Sequence, residues 1–268
     1  MNRACIRFEK QNCLRRTLSY QDPPHRPMVR NLRGTILLAA KTVHLSSAPR
    51  EVGRQICSLT IFREAIGLDP PEIVWQPAHV RAVPVDPEDS DEVGFEEVLK
   101  SYRSILRLVS VFSPSYQELE DIAGGVGNPA VSEERDIRTS VETLAEKFPV
   151  GRGGDGVLIV RCEPFGYYYR NKKKKGWVKA YSQYAVREPV VDFTGGGSAF
   201  LGAYAVARID GCGLRESCVR GAVAASFAME QFGLPVKTYR SPGPNSDEGE
   251  FWNSDRAERR LRALRSAN

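Results

Sequence analysis

The segment with the most chemical content is Val190–Gly202, VVDFTGGGSAFLG. A short apolar stretch ends at Asp192, Gly195, Gly196 and Gly197 follow, and an alanine-rich helical pattern begins beyond them. Glycines at a strand-to-helix junction let successive backbone N–H groups converge on one anion, and the helix N-terminus adds partial positive charge. Such a nest holds phosphate without a basic side chain. A glycine run in this place also serves as a plain turn, so the motif alone leaves phosphate binding and simple chain reversal both open.

The elements that must position this loop follow from periodicity. Lys41–Leu45 reads as a buried strand, residues 49–66 as a helix with Val52, Ile56, Leu59 and Arg63 at helical spacing, and Glu72–Trp75 as a strand stopped by Pro77. Helix 94–105, strand 106–112 (LRLVSVF), a short helix 116–123 and a longer one 132–148 come next. Strand 157–161 (VLIVR) follows the turn Gly151–Gly156, and helices at about 196–209 and 215–232 close the core. Strands alternating with helices at short spacing predict an α/β fold with a mostly parallel sheet and helices on both faces. Residues 1–33 carry two short alternating stretches, at 5–8 and 17–20, expected to form a small β lid-like hairpin. The α/β domain spans 34–240, and 241–268 is a polar, basic tail whose arginines predict a frayed, solvated segment or an amphipathic helix.

Composition narrows the function classes. The 268 residues are 41% apolar and 26% charged, with a net charge of +5, in keeping with a soluble protein and an anionic ligand but demanding neither. Every apolar run is interrupted by Arg, Lys or Asp, and the N-terminus lacks a signal-peptide core, so no membrane association and a cytoplasmic location are expected. Six cysteines without a C-x-x-C pair and three scattered histidines give no zinc pattern. Lys172–Lys175 sits between Tyr167–Tyr169 and Trp177–Tyr181 and reads as a charged hairpin tip rather than a nucleic-acid patch.

VVDFTGGGSAFLGAYAVA, followed by GAVAASFAMEQFGLP at Gly221–Pro235, resembles the C-terminal signature of the PfkB, or ribokinase-like, carbohydrate kinases. In that family the pattern is D-T-x-G-A-G-D, then F-x-G, then an alanine-rich helix ending at glycine. Val111–Leu119 is similar to the family's N-x-x-E segment, and Val160–Gly166 to the strand and glycine turn near the nucleotide. His44-Leu45, Trp75-x-Pro77 and the triple-glycine loop are similar to the fungal subgroup related to a killer-toxin maintenance factor. The resemblance implies a ribokinase-like fold that uses ATP or ADP with Mg2+. It implies an anion hole at Gly195, Gly196 and Gly197, shaped by Asp192 and Thr194. Glu118 and Ser115 would belong to the magnesium network, and Gly166 and Ser226 would border the adenine.

Three departures bear on activity. The position of the family's catalytic aspartate is Ser198, and an unactivated hydroxyl cannot take the acceptor's proton at neutral pH. The asparagine of N-x-x-E is Ser115. No counterpart of the family's first strand and Gly-Gly sugar motif precedes Met1, so the N-terminal strands of the sheet are expected to be missing. The leading expectation is therefore a kinase-like protein with a degenerate phosphoryl-transfer site that still binds nucleotide. The alternatives are an active sugar or nucleoside kinase in which Asp192 replaces the base, an interaction protein, and a repurposed biosynthetic enzyme. The expected partners are a nucleotide and a sugar-like molecule, or else a second copy of the chain or another protein. No nucleic acid is expected.

Overall fold

The computed structural model describes residues 4–9, 12–20, 28–77, 95–124, 133–181, 190–238 and 251–268. Its centre is a six-stranded sheet in the order β3 (Thr42–Ser47), β4 (Glu72–Pro77), β5 (Val111–Phe112), β6 (Val157–Arg161), β7 (Tyr167–Arg170) and β8 (Lys175–Val178). Strands β3 to β6 run parallel, and β7 and β8 add on as an antiparallel hairpin. A separate hairpin pairs β1 (Ala4–Glu9) with β2 (Asn12–Tyr20), where two short strands are expected from the sequence.

Alternation along each strand explains why both faces are covered. Ile73, Trp75, Phe112, Leu158 and Val160 point into one core, while Val74, Val111, Val157 and Ile159 point into the other. A parallel strand buried on both faces must be apolar at consecutive positions, and all five residues of β6 are buried. The first core is roofed by α1 (Pro49–Glu64), α2 (Phe95–Leu106), α3 (Tyr116–Ile122) and α4 (Glu134–Ala145). Its centre is aromatic: Trp75 stacks on Tyr102 at 5.3 Å and lies 4.8 Å from Phe112. Each such side chain contributes about 1.5–3 kcal/mol by leaving water. The second core lies under α5 (Gly196–Ile209), α6 (Leu214–Met229) and α7 (Ala257–Ala267). Helices α5 and α6 cross closely because Gly221 presents no Cβ to Phe200.

Two expectations are corrected. The apolar run at 106–112 is not one strand: Leu106 ends α2, and only Val111 and Phe112 pair in the sheet. Leu106 and Val109 are buried all the same, so hydrophobicity is satisfied by a helix end and a turn as well as by a strand. The frayed tail is likewise not observed over 251–268. There β10 (Phe251–Trp252) pairs with β9 (Lys237–Thr238) and β11 (Asp255–Arg256), and α7 docks on α6.

Arg260, 1% exposed, fixes that docking. Its guanidinium donates to Asp255 Oδ2 at 2.8 Å, Glu230 Oε2 at 2.8 Å and Ser226 Oγ at 2.9 Å, and it lies 3.8 Å from the Phe227 ring centroid. Burial alone would raise the Asp255 carboxyl pKa, but hydrogen bonds from Arg259 and Arg260 bring it below the usual value. Its stabilising share is therefore complete above the unfolded value, near pH 3.8–3.9, and is lost as pH falls through the lower folded value. We expect Arg260→Ala to destabilise the protein by about 3–5 kcal/mol in urea unfolding and to shrink the loss of stability on acidification below about pH 4. Arg265→Ala, which removes a partly exposed pair with Glu216, should cost no more than about 1 kcal/mol.

Candidate functional site

Arg161, at the carboxyl end of β6, lies against Gly197 at the N-terminus of α5, and open α/β sheets place their ligands at the carboxyl ends of their strands. Each of the three glycines here has its own physical reason. Gly195 sits at φ 86, in the left-handed region, and starts the helix. A Cβ on Gly196 would strike Met229, and one on Gly197 would strike Arg161 Nη1. Gly196 N–H donates to Phe193 O at 3.3 Å and Ala199 N–H to Gly195 O at 2.9 Å. The N–H groups between them, on Gly197 and Ser198, have no backbone acceptor among the described residues. These are the orphan donors of a helix start, available to an anion.

Asp192 and Thr194 are hydrogen-bonded to one another within the loop. Asp192 Oδ1 accepts from Thr194 N–H at 2.9 Å, closing an Asx turn, while Val191 and Asp192 N–H both donate to Met229 O. The end of α6 therefore holds the loop by main chain and by the Met229 side chain together. Ser198 is exposed on the first turn of α5, and no carboxylate or imidazole hydrogen-bonds its hydroxyl among the described residues.

Glu118 and Ser115 are brought to the same place, but in other roles. Ser115 caps α3: its Oγ accepts from Glu118 N–H at 3.2 Å, and Glu118 Oε2 accepts from Ser115 N–H at 2.6 Å. The same Oε2 accepts from Arg161 Nη2 at 3.1 Å. A magnesium network needs a carboxylate whose charge is available to the ion. Here the guanidinium offsets that charge and occupies Oε2, so the pair is a poorer fit to the expected magnesium role than a carboxylate free of a cation would be.

Gly166 and Ser226, expected to border the adenine, each have structural contacts of their own. Gly166 has φ 107 in the turn from β6 to β7, where a side chain would collide with Val178 O. Ser226 Oγ donates to Val223 O at 2.7 Å and accepts from Arg260, so the C-terminal helix engages it.

Arg161 is the residue that sequence reasoning passed over. It is 8% exposed at the end of β6, donates through Nη2 to Ser113 O at 3.3 Å as well as to Glu118, and leaves its Nε without a partner among the described residues. Ser113 Oγ, fully buried beside it, is likewise unpartnered among the described residues. Arg161 also reaches His44 electrostatically. Crowding by surrounding protein lowers the His44 pKa most, Gln76 opposes that shift, and the Arg161 charge lowers it further. The available signal was a charged residue closing an otherwise wholly apolar strand at the ligand-binding edge.

Among the described residues no helix is long and apolar enough to cross a membrane. The chain is 24% identical over 259 residues to an uncharacterized protein of Schizosaccharomyces pombe, covering 92% of this chain and 65% of that one. It is 25% identical over 170 residues to Protein MAK32 of Saccharomyces cerevisiae, covering 62% of this chain and 43% of that one. It thus spans less than two thirds of the length of either relative, and both bear out the fungal resemblance. Among solved structures, ribokinase from Cryptococcus neoformans var. grubii in complex with ADP superposes with a TM-score of 0.56 at 17% identity, over 87% of this chain and 67% of that one. A putative ribokinase II from Escherichia coli in complex with ATP and Mg2+ gives 0.52 at 16% identity, over 87% and 65%. These likenesses establish the ribokinase-like fold. The family model described as pfkB family carbohydrate kinase matches residues 79–237, more than half of the sequence, and the chain belongs to that family.

Proposed function

We propose that this chain binds ADP or ATP through the Gly195–Gly197 loop and has weak or no phosphoryl-transfer activity. The observation that carries this is the asymmetry at the start of α5. The donors that would hold a phosphoryl oxygen are in place, while the position of the base carries Ser198, exposed and hydrogen-bonded to neither carboxylate nor imidazole among the described residues. Stabilising transferring charge and removing the acceptor's proton are separate tasks, and the described residues at the start of α5 offer groups suited to the first alone. Two ribokinase-like structures of the same fold hold ADP, or ATP with Mg2+, which supports a nucleotide as the anion. Substitution of Asp192 for the missing base is disfavoured, because one of its carboxylate oxygens already closes the turn to Thr194. The acceptor, if one is used, would lie along the strand ends near His44 and Ser113.

Calorimetry with ADP is expected to give micromolar binding. Sugar-dependent ATP turnover should lie about 10²–10⁴-fold below that of an enzyme with a general base, and Ser198→Asp should raise it. Turnover at an ordinary kinase rate in the unaltered protein would refute the proposal.

A second expectation concerns charge. The His44 pKa in the free protein should fall below 6.5 when followed by NMR. Between that lowered value and the ordinary one the unfolded chain binds more protons, so His44 makes stability fall as pH drops through about 6.5, levelling off below the folded value. A phosphate bound beside Arg161 offsets the positive charge that helps lower His44, so ADP should move the midpoint upward.

A further inference from the structure

The geometry points to Arg161 as the cation of the phosphate site, so that nucleotide binding at the glycine loop is charge-assisted by the protein itself and independent of magnesium. This rests on the nucleotide-binding proposal above and specifies how its anion is held. Three observations meet at this side chain. Arg161 is more than nine-tenths buried, yet its Nε has no partner among the described residues, so its donor capacity exceeds what the fold consumes. Its Nη1 lies against Gly197, the last of the three loop glycines, so closely that only glycine leaves room for it. Its link to Glu118 ties up the carboxylate that the magnesium network would require.

Together these place a fixed guanidinium behind the α5 N-terminus, where backbone N–H groups and the helix dipole already favour an anion. Guanidinium matches phosphate oxygens as a planar, multiple donor, and it is less strongly hydrated than an ammonium. Glu118 orients it from the far side and compensates its charge when the site is empty. A mobile divalent ion is then superfluous for binding.

The test is ADP calorimetry on the full chain, with excess EDTA or with excess magnesium, on the unaltered protein and on Arg161→Gln combined with Glu118→Gln. The double variant keeps the shape of the pair and strands no buried charge, and near-UV circular dichroism checks that it is folded. The unaltered protein should bind ADP with the same affinity in both buffers. The double variant should lose about 10- to 100-fold in EDTA, the worth of a hydrogen bond to a charged group. ADP binding that requires magnesium, or that the double variant retains in full, would overturn the role of Arg161 and leave nucleotide binding standing. Absence of ADP binding to the folded protein in either buffer would overturn both.

Discussion

The contact between Arg161 and the backbone of Gly197 constrains more of this site than any other. A guanidinium can be buried at the end of a parallel strand only when its charge is met, and Glu118 meets it from the first turn of α3. That requirement fixes α3, because Glu118 reaches Arg161 while also capping the helix through Ser115. It fixes the start of α5, because the same guanidinium leaves space for no side chain at Gly197. Strand β6 thus aligns two helices that pack on opposite faces of the sheet, and the glycine loop rests on a charged support rather than on an apolar one.

The loop has a second support, and it comes from farther along the chain. Met229 O accepts from Val191 and Asp192, and the Met229 side chain fills the space beside Gly196. Met229 ends α6, and that same end is gripped by Arg260 through Ser226, Phe227 and Glu230. The basic C-terminal helix is thereby coupled to the glycine loop through one short stretch of α6. Its arginines are not alike: Arg260 is buried within a ring of partners, while Arg265 lies nearer solvent.

How much of this was legible in the sequence depended on whether the signal was local. The alternation of strands and helices, the charged Lys172–Lys175 tip and the glycine loop all follow from periodicity and turn chemistry within a few residues. Leu106 and Val109 misled because burial, which the sequence reports, does not distinguish a strand from a helix end and turn. Sequence leaves the C-terminal segment between a frayed tail and an amphipathic helix because RAERRLRALR taken alone also reads as solvated charge, whereas Arg260 is satisfied by Glu230 and Ser226, some thirty residues earlier. Arg161 escaped for the same reason. Its partners Glu118, Ser113 and Gly197 come from three other segments, and only the parallel topology makes them neighbours. Ser115 and Glu118 were legible as a pair, but as a capping box the pair serves the helix first.

A phosphate nest without a base is a coherent object in energetic terms. Groups that bind the nucleotide equally in ground and transition states give affinity, and only groups that act on the transferring proton or on charge that develops later give rate. The glycine loop and Arg161, in the role proposed for them, belong to the first kind, since they would hold phosphate that is already charged. The aspartate replaced by Ser198 belongs to the second. On the proposed reading, loss of that single carboxylate would lower turnover without disturbing the contacts among Asp192, Met229, Arg161 and Glu118, because none of them leans on residue 198. Retention of those contacts is what a nucleotide-sensing role would require, since ligand binding stabilises whichever arrangement of α5 and α6 it fits.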